Sequence, residues 1–264
     1  MERLVVLGAG ESGVGAALLG QKERWDVFVS DRGKIREEYR DVLLNHDIEF
    51  EENGHSIESI LTADLVVKSP GIPDDISLIQ QLREEDIDVI SEIEFAGRYS
   101  KAKFIGITGT NGKTTTASLT YHILKSAGIN VGLAGNIGKS LARFIAEEKE
   151  FDWVVLEVSS FQLDSMYDFK CDIAILLNIT EDHLDRYDNS MLKYAKSKIR
   201  IAQNQTDEDW FIYNQDDAQT AHVLDLIESK GKRIPISIEN KIEGEGAFKD
   251  FNQLNINLNH NPFT

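Results

Sequence analysis

Twice in this chain an apolar strand runs into a glycine cluster and leaves it as a helix, and few folds accommodate that unit. The first is Leu4-Val5-Val6-Leu7 followed by Gly8-Ala9-Gly10-Glu11-Ser12-Gly13. The second is Phe104-Ile105-Gly106-Ile107 followed by Thr108-Gly109-Thr110-Asn111-Gly112-Lys113-Thr114-Thr115. A helix that opens on such a turn aims its free N–H groups and the positive end of its dipole at whatever lies above the strand, which favours an anion. Around each unit, short apolar runs alternate with helix-capable stretches. Residues 3–8, 26–31 and 64–68 read as strands, with 34–45 helical between them. A second series reads as strands at 103–108, 153–158, 173–178, 210–213 and 233–237, with helices at 113–127 and 191–203. This rhythm predicts two α/β domains built on parallel sheets, with residues 1–97 in one, 98–264 in the other and the break near 97–101.

Composition narrows the functional classes. A formal net charge of −17 repels nucleic acid and anionic lipid, so a phosphate ligand has to be held by a local device. Apolar residues make up 41% and charged residues 28%, as in an ordinary globular protein, and no run of about 18 apolar residues suggests a membrane span. Met1-Glu2-Arg3 leads straight into a strand, without the features of a signal peptide. Cys171, the single cysteine, can form no internal disulfide; in an apolar strand it reads as a small core residue, and it points to a reducing, cytoplasmic setting.

The first cluster fits G-x-G-x-x-G, in which glycines let the backbone approach a pyrophosphate. Asp31 ends the second strand, 18 residues after Gly13, where a carboxylate can accept from a ribose or base; a capping or surface aspartate is the alternative. Ser69-Pro70-Gly71-Ile72-Pro73 follows the third strand and reads as a stiffened loop with close backbone approach at Gly71, or simply as a turn. On these residues alone the ligand would be NAD or FAD.

The second cluster has the parts of a phosphate cradle. Backbone N–H groups surround the phosphates, Lys113 balances their charge, and the Thr114 hydroxyl can reach Mg²⁺. It departs from the standard P-loop at Ile107, where glycine is usual. Leu119, Ile123, Leu124 and Ala127 give the following helix its spacing, and Gly128 ends it. Glu157 closes the apolar run Val154-Val155-Leu156; such a carboxylate is costly to bury without a cation, so Mg²⁺ or a salt-bridge partner is expected. His183, in the acidic loop 181–185, and Lys198, in the helical stretch 193–201, would by themselves read as solvated residues.

Thr108-Gly109-Thr110-Asn111-Gly112-Lys113-Thr114 resembles the ATP loop of the Mur ligases and of folylpolyglutamate synthetase. Gly135-Asn136-Ile137-Gly138, the block from Leu156 to Leu163 with its Ser159-Ser160-Phe161-Gln162-Leu163, and the block from Asn178 to Tyr187 resemble further family motifs, over a span from Gly8 to about Arg200. The resemblance implies a Rossmann-like N-terminal domain that binds a UDP substrate, followed by a P-loop-type α/β ATPase domain. It implies ATP held by Thr108 through Thr115, and Mg²⁺, with Mn²⁺ as a substitute, held by Thr114, Glu157, His183 and Lys198, the last carbamylated, although Lys196 or Lys193 could fill that place in a shifted register. It further implies substrate contacts from Ser12, Gly13, Asp31, Ser69, Gly71, Asn136, Ser159 and Gln162. Arg32 and Gly33 depart from the family pattern after the acid.

The branch most similar in Ser-Ser-Phe-Gln-Leu adds D-glutamate to UDP-N-acetylmuramoyl-L-alanine through an acyl phosphate, in peptidoglycan precursor synthesis. Another Mur ligase, an NAD-dependent oxidoreductase and a non-catalytic nucleotide-binding module are the rivals. No membrane or nucleic-acid partner is expected. The family continues with a third domain, so this chain, ending at Thr264 after an alternating run at 254–259, is expected to lack it and to make little product alone.

Overall fold

The computed structural model describes residues 1–147, 150–258 and 261–263. They divide into two compact units: Met1–Ala102 with Ala134–Phe151 and Asp164–Phe169, and Lys103–Leu133 with Asp152–Leu163 and Lys170–Thr264.

The first unit carries strands β1 (Arg3–Leu7), β2 (Asp26–Ser30), β3 (Glu49–Glu51), β4 (Leu65–Lys68) and β5 (Val89–Ser91), with helices α1 (Glu11–Lys22), α2 (Glu37–Asn45), α3 (Ile57–Ile60), α4 (Ser77–Glu84) and α5 (Glu92–Gly97). The sheet is parallel in the order β3-β2-β1-β4-β5. Leu4, Val5, Val6 and Leu7 are all fully buried, which is why β1 shows no polar alternation: a central parallel strand is covered on both faces. Chain order reverses between β1 and β4, so a crevice forms at the carboxyl ends of these two strands, where Gly8 and Ser69 emerge. The edge strands β3 and β5 were not foreseen. Each is three residues long, and Glu49-Phe50-Glu51 is too short and too charged to show a strand period.

The second unit is built on β6 (Lys103–Thr108), α6 (Lys113–Ser126), β7 (Val131–Gly135), α7 (Leu141–Glu147), β8 (Trp153–Glu157), α8 (Ser160–Asp164), β9 (Ile173–Leu176), α9 (Met191–Ile199), β10 (Trp210–Asn214), α10 (Ala218–Val223), β11 (Lys232–Ser237), β12 (Gly246–Asp250), β13 (Gln253–Leu258) and β14 (Asn261–Phe263), save that α7 belongs to the first unit. Among the described residues the strand order is β14-β13-β12-β11-β10-β9-β6-β8-β7. The strands from β6 to β12 whose register is defined run parallel, whereas β12, β13 and β14 form an antiparallel meander, a departure from the purely parallel sheet expected. The alternating run at 254–259 is strand as far as Leu258; residues 259, 260 and 264 lie outside the described residues.

Register places the site. Ile107 pairs with Glu157 and Thr108 with Leu176, so the ends of β6, β8 and β9 reach the same sheet edge. Beneath them Ile105, Ile107, Ala117, Val131 and Val155 form a core against which Tyr121 and Leu124 pack. The helix read at 113–127 forms, but its buried face runs through Ala117, Tyr121 and Leu124; Leu119 and Ile123, read as part of the stripe, are more than half exposed. Helix 191–203 ends early, at Ile199, and continues as a 3-10 turn over Arg200–Ala202. Cys171 is fully buried, and burial pushes its thiol up to about 12, so it acts as a core residue. Among the described residues no helix is long and apolar enough to cross a membrane.

Candidate nucleotide-binding sites

In the second unit the loop between β6 and α6 is held from three directions. Gly112 takes a left-handed conformation (φ 83°) and caps α6, so that the helix begins at Lys113 with its first turn open to solvent. The segment after β9 grips the loop: Thr110 N–H donates to Asn178 O at 2.9 Å, and Asn111 and Asn178 exchange two hydrogen bonds of 2.9 and 3.0 Å. Thr110 Oγ1 donates to Thr180 O and accepts from Thr180 N–H, and it lies 3.3 Å from the Tyr194 hydroxyl. Asn178, Thr180 and Tyr194 were not singled out from the sequence. Asn178 and Thr180 lie in a recognised block, whereas Tyr194 gave no signal beyond its helical position.

Two ammonium groups meet on this loop. Lys113 Nζ donates to Gly109 O (2.9 Å) and Thr110 O (2.8 Å), and Lys198 Nζ donates to the same Gly109 O (2.9 Å). Being 2.9 Å from one oxygen each, the two nitrogens are at most 2.9 + 2.9 = 5.8 Å apart. Lys198 is 2% exposed, its ammonium 4.6 Å from the centre of the Tyr194 ring. The solvated-lysine alternative therefore fails.

Thr114 Oγ1 donates to Glu157 Oε2 at 2.8 Å, and Glu157 is 2% exposed at the end of β8. A hydroxyl and a carboxylate side by side at a helix N-terminus are hard oxygen donors of the kind Mg²⁺ accepts. His183 is placed differently. It is exposed, its Nε2 lies 3.5 Å from Asp182, and its ring packs 5.3 Å from Phe161, which also contacts Tyr187 and Arg186. Among the described residues no group of three His, Cys, Asp or Glu side chains is assembled for a metal. Thr108 is fully buried and Thr115 exposed on the first turn of α6. Ser159 and Gln162 are turned on each other: Gln162 Oε1 accepts from Ser159 N–H (2.9 Å) and Oγ (3.0 Å), and Gln162 N–H donates back to Ser159 Oγ (3.4 Å). This is a capping box for α8, legible as Ser-x-x-Gln but not read as such.

In the first unit the glycine turn is equally built. A Cβ on Gly13 would sit 1.8 Å from Gly8 O, so only glycine lets α1 leave the turn at that angle. Asp31 binds the turn itself: Oδ2 accepts from Ala9 N–H (2.6 Å) and Oδ1 from Gly33 N–H (2.8 Å). Ser69 Oγ donates to Gly8 O at 3.3 Å, bringing the loop after β4 against the turn. Ser12 is the second residue of α1 and partly exposed, Gly71 is exposed, and Asn136 is exposed in the segment that belongs to this unit. Lys68, also unforeseen, is buried and donates to Ile72 O at 2.7 Å, bracing the 69–73 loop.

Comparison with known proteins matches residues 107–262 to the Mur ligase middle domain, and that span begins at the loop just described. The chain belongs to the Mur ligase family. Residues 3–78 match the MurD N-terminal domain, so the oxidoreductase alternative, which rested on the first turn alone, falls. This Mur ligase chain is 57% identical over 254 residues to the UDP-N-acetylmuramoylalanine--D-glutamate ligase of Bacteroides fragilis (strain ATCC 25285), covering 96% of the chain and 57% of the relative. It is 50% identical over 263 residues to the protein of the same name from Christiangramia forsetii, covering 100% of the chain and 59% of the relative. The chain thus spans less than two thirds of the length of these relatives. Among solved structures, the UDP-N-acetylmuramate:L-alanyl-gamma-D-glutamyl-meso-diaminopimelate ligase from Neisseria meningitides superposes with a TM-score of 0.65 at 17% identity, covering 99% of this chain and 86% of that one. At that identity the match speaks to the fold alone, a Rossmann-like α/β domain followed by a P-loop-type α/β domain.

Proposed function

We propose that this chain carries the UDP-substrate and ATP sites of a ligase that joins D-glutamate to UDP-N-acetylmuramoyl-L-alanine in the cytoplasm. The observation that carries the reading is the second loop, where Lys113 and Lys198 converge on Gly109 O beside the Thr114–Glu157 pair. An ATP polyphosphate in the cradle of residues 108–115 would meet the N–H groups of α6 and the Lys113 ammonium, which supports phosphoryl transfer from ATP to the substrate carboxylate. Thr114 and Glu157 would hold Mg²⁺, or Mn²⁺ in its place, which when bound offsets the negative charge of the phosphates. Lys113 would neutralise the phosphoryl group as it passes to the carboxylate and ADP leaves, and the amine of D-glutamate would then attack the acyl phosphate, expelling inorganic phosphate and losing a proton as the amide forms. Carbamylation of Lys198 would give the site a further, anionic oxygen ligand. His183 would join the site only by leaving its contact with Phe161. In the first unit, Ser12, Gly13 and Asn136 would hold the diphosphate, and Asp31, Ser69 and Gly71 would line the uridine side. Ser159 and Gln162 would serve the substrate through the backbone they cap.

Calorimetry on the chain tests this. UDP-N-acetylmuramoyl-L-alanine should bind and NAD should not; tighter binding of NAD would sink the proposal for the first unit. A ¹³C carbamate resonance that appears on adding ¹³C-bicarbonate and is lost in Lys198→Ala would support modification, and a spectrum unchanged by the substitution would remove it.

A further inference from the structure

The first glycine turn contains an acid, Glu11, at the place where an anion is proposed to bind. A free carboxylate there would repel a diphosphate. The structure turns it away. Glu11 Oε1 accepts from Ser140 N–H (3.1 Å), Glu11 Oε2 pairs with Arg143 NH1 (3.0 Å), and the Glu11 carbonyl accepts from Ser140 Oγ (3.3 Å). Ser140 follows the Gly135–Gly138 turn by two residues, and that turn holds Asn136. The contact is close because α1 allows it: a Cβ on Gly15 would lie 2.1 Å from Ser140 Oγ and 2.7 Å from Arg143 N.

A second carboxylate fixes the same segment. Glu92, 2% exposed at the start of α5, accepts from Ala142 N–H, in the first turn of α7. Burial and the neighbouring Glu11 push its carboxyl up to about 8, so near neutral pH it accepts this bond largely without a charge. Of the two acids, it is Glu11 that stands opposite Arg143.

We infer that Glu11 is a positioning residue, which ties the loop bearing Asn136 to the phosphate-facing glycine turn and so sets the preference of this unit for a nucleoside diphosphate over a monophosphate. The inference rests on the reading of the first unit as a uridine-nucleotide site. It explains why an acid is tolerated in this turn.

The test compares UMP and UDP by calorimetry on the chain and on its Glu11→Ala, Glu11→Gln, Asn136→Ala and Glu11→Ala/Asn136→Ala variants. Glu11→Ala should weaken UDP about tenfold, the loss of one well-made polar contact, while UMP changes less than about twofold. Glu11→Gln, which keeps an acceptor for Ser140, should recover most of that loss. The double variant should bind UDP no more weakly than Asn136→Ala, because both substitutions remove one contact. Amide exchange at residues 135–143 should rise in Glu11→Ala while β1 and β2 stay protected. Parallel weakening of UMP and UDP, additive losses in the double variant, or unchanged exchange at 135–143 would each overturn the inference. A wild-type chain that binds neither nucleotide would overturn the uridine reading and the diphosphate preference with it, and the exchange measurement would still decide whether Glu11 tethers the loop.

Discussion

The two glycine turns share a local plan and differ in what surrounds them. The turn at Gly8–Gly13 is shaped by oxygen: Asp31 holds Ala9 and Gly33, Ser69 reaches Gly8, and Glu11 faces away onto Ser140 and Arg143. The turn at Gly109–Gly112 also rests on oxygen acceptors, at Asn178 and Thr180, but adds two lysine nitrogens, with Lys113 Nζ and Lys198 Nζ both donating to Gly109 O. Under the proposed function one motif serves two electrostatic tasks. The first turn offers a ligand dipoles and shape, which suits a substrate that stays intact. The second adds the two lysine side chains, which under the proposed function suits a phosphoryl group whose charge shifts during transfer.

The sharpest way to break this comparison is at the glycines. Gly13→Ala drives a Cβ to 1.8 Å from a backbone carbonyl that cannot retreat, so the first unit should lose more than about 4 kcal/mol, enough to abolish its cooperative transition in urea. A normal transition would show that the turn is softer than its geometry.

The next effect lies in pH. Glu92 titrates at about 8 in the folded chain against its ordinary 4.5. Between these values the folded state holds a proton that the unfolded state has released, so stability should fall as pH rises from 4.5 to 8, by on the order of 4 kcal/mol. Denaturation of Glu92→Gln across that range should show a flatter profile; an unchanged slope would remove Glu92 as the cause.

Charge in the second turn should show in ligand affinity. Lys113→Ala should weaken Mg·ATP by about 10–100-fold, the worth of one charge-assisted hydrogen bond, and leave UDP untouched. Equal losses for both ligands would mean that the turns are not the separate sites described.

The smallest effect should come from Gly112→Ala. The nearest atom to its Cβ is 3.7 Å away, so only the left-handed backbone opposes the change, at a cost of about 1–2 kcal/mol in urea denaturation. A loss as large as that of Gly13→Ala would erase the contrast between a turn closed by packing and one closed by conformation.

What could be read without coordinates was local. Strand, glycine cluster and helix follow one another within about fifteen residues, so both turns, the helices that leave them and the buried strand before Glu157 were legible from spacing and composition. So was the burial of Cys171, which sits in an apolar run. β3 and β5 were missed because three residues are too few to carry a period, and β7 because Val-Gly-Leu-Ala-Gly contains two glycines. The face of α6 was misjudged because Leu119 and Ile123 keep helical spacing without lying over the core.

The tertiary structure decided everything that joins distant residues. Lys198 reaches Gly109 across 89 positions, Thr180 reaches Thr110 across 70, and Ser140 reaches Glu11 across 129. Such contacts leave no periodic trace, since each is made by one side chain whose neighbours obey only the rules of their own helix or loop. The same holds for charge. Glu11 and Glu92 look alike in sequence, yet Arg143 stands opposite one, and burial, against the pull of a single N–H donor, pushes the other up to about 8. A carboxylate's role depends on solvent and on partners, and both are properties of the fold.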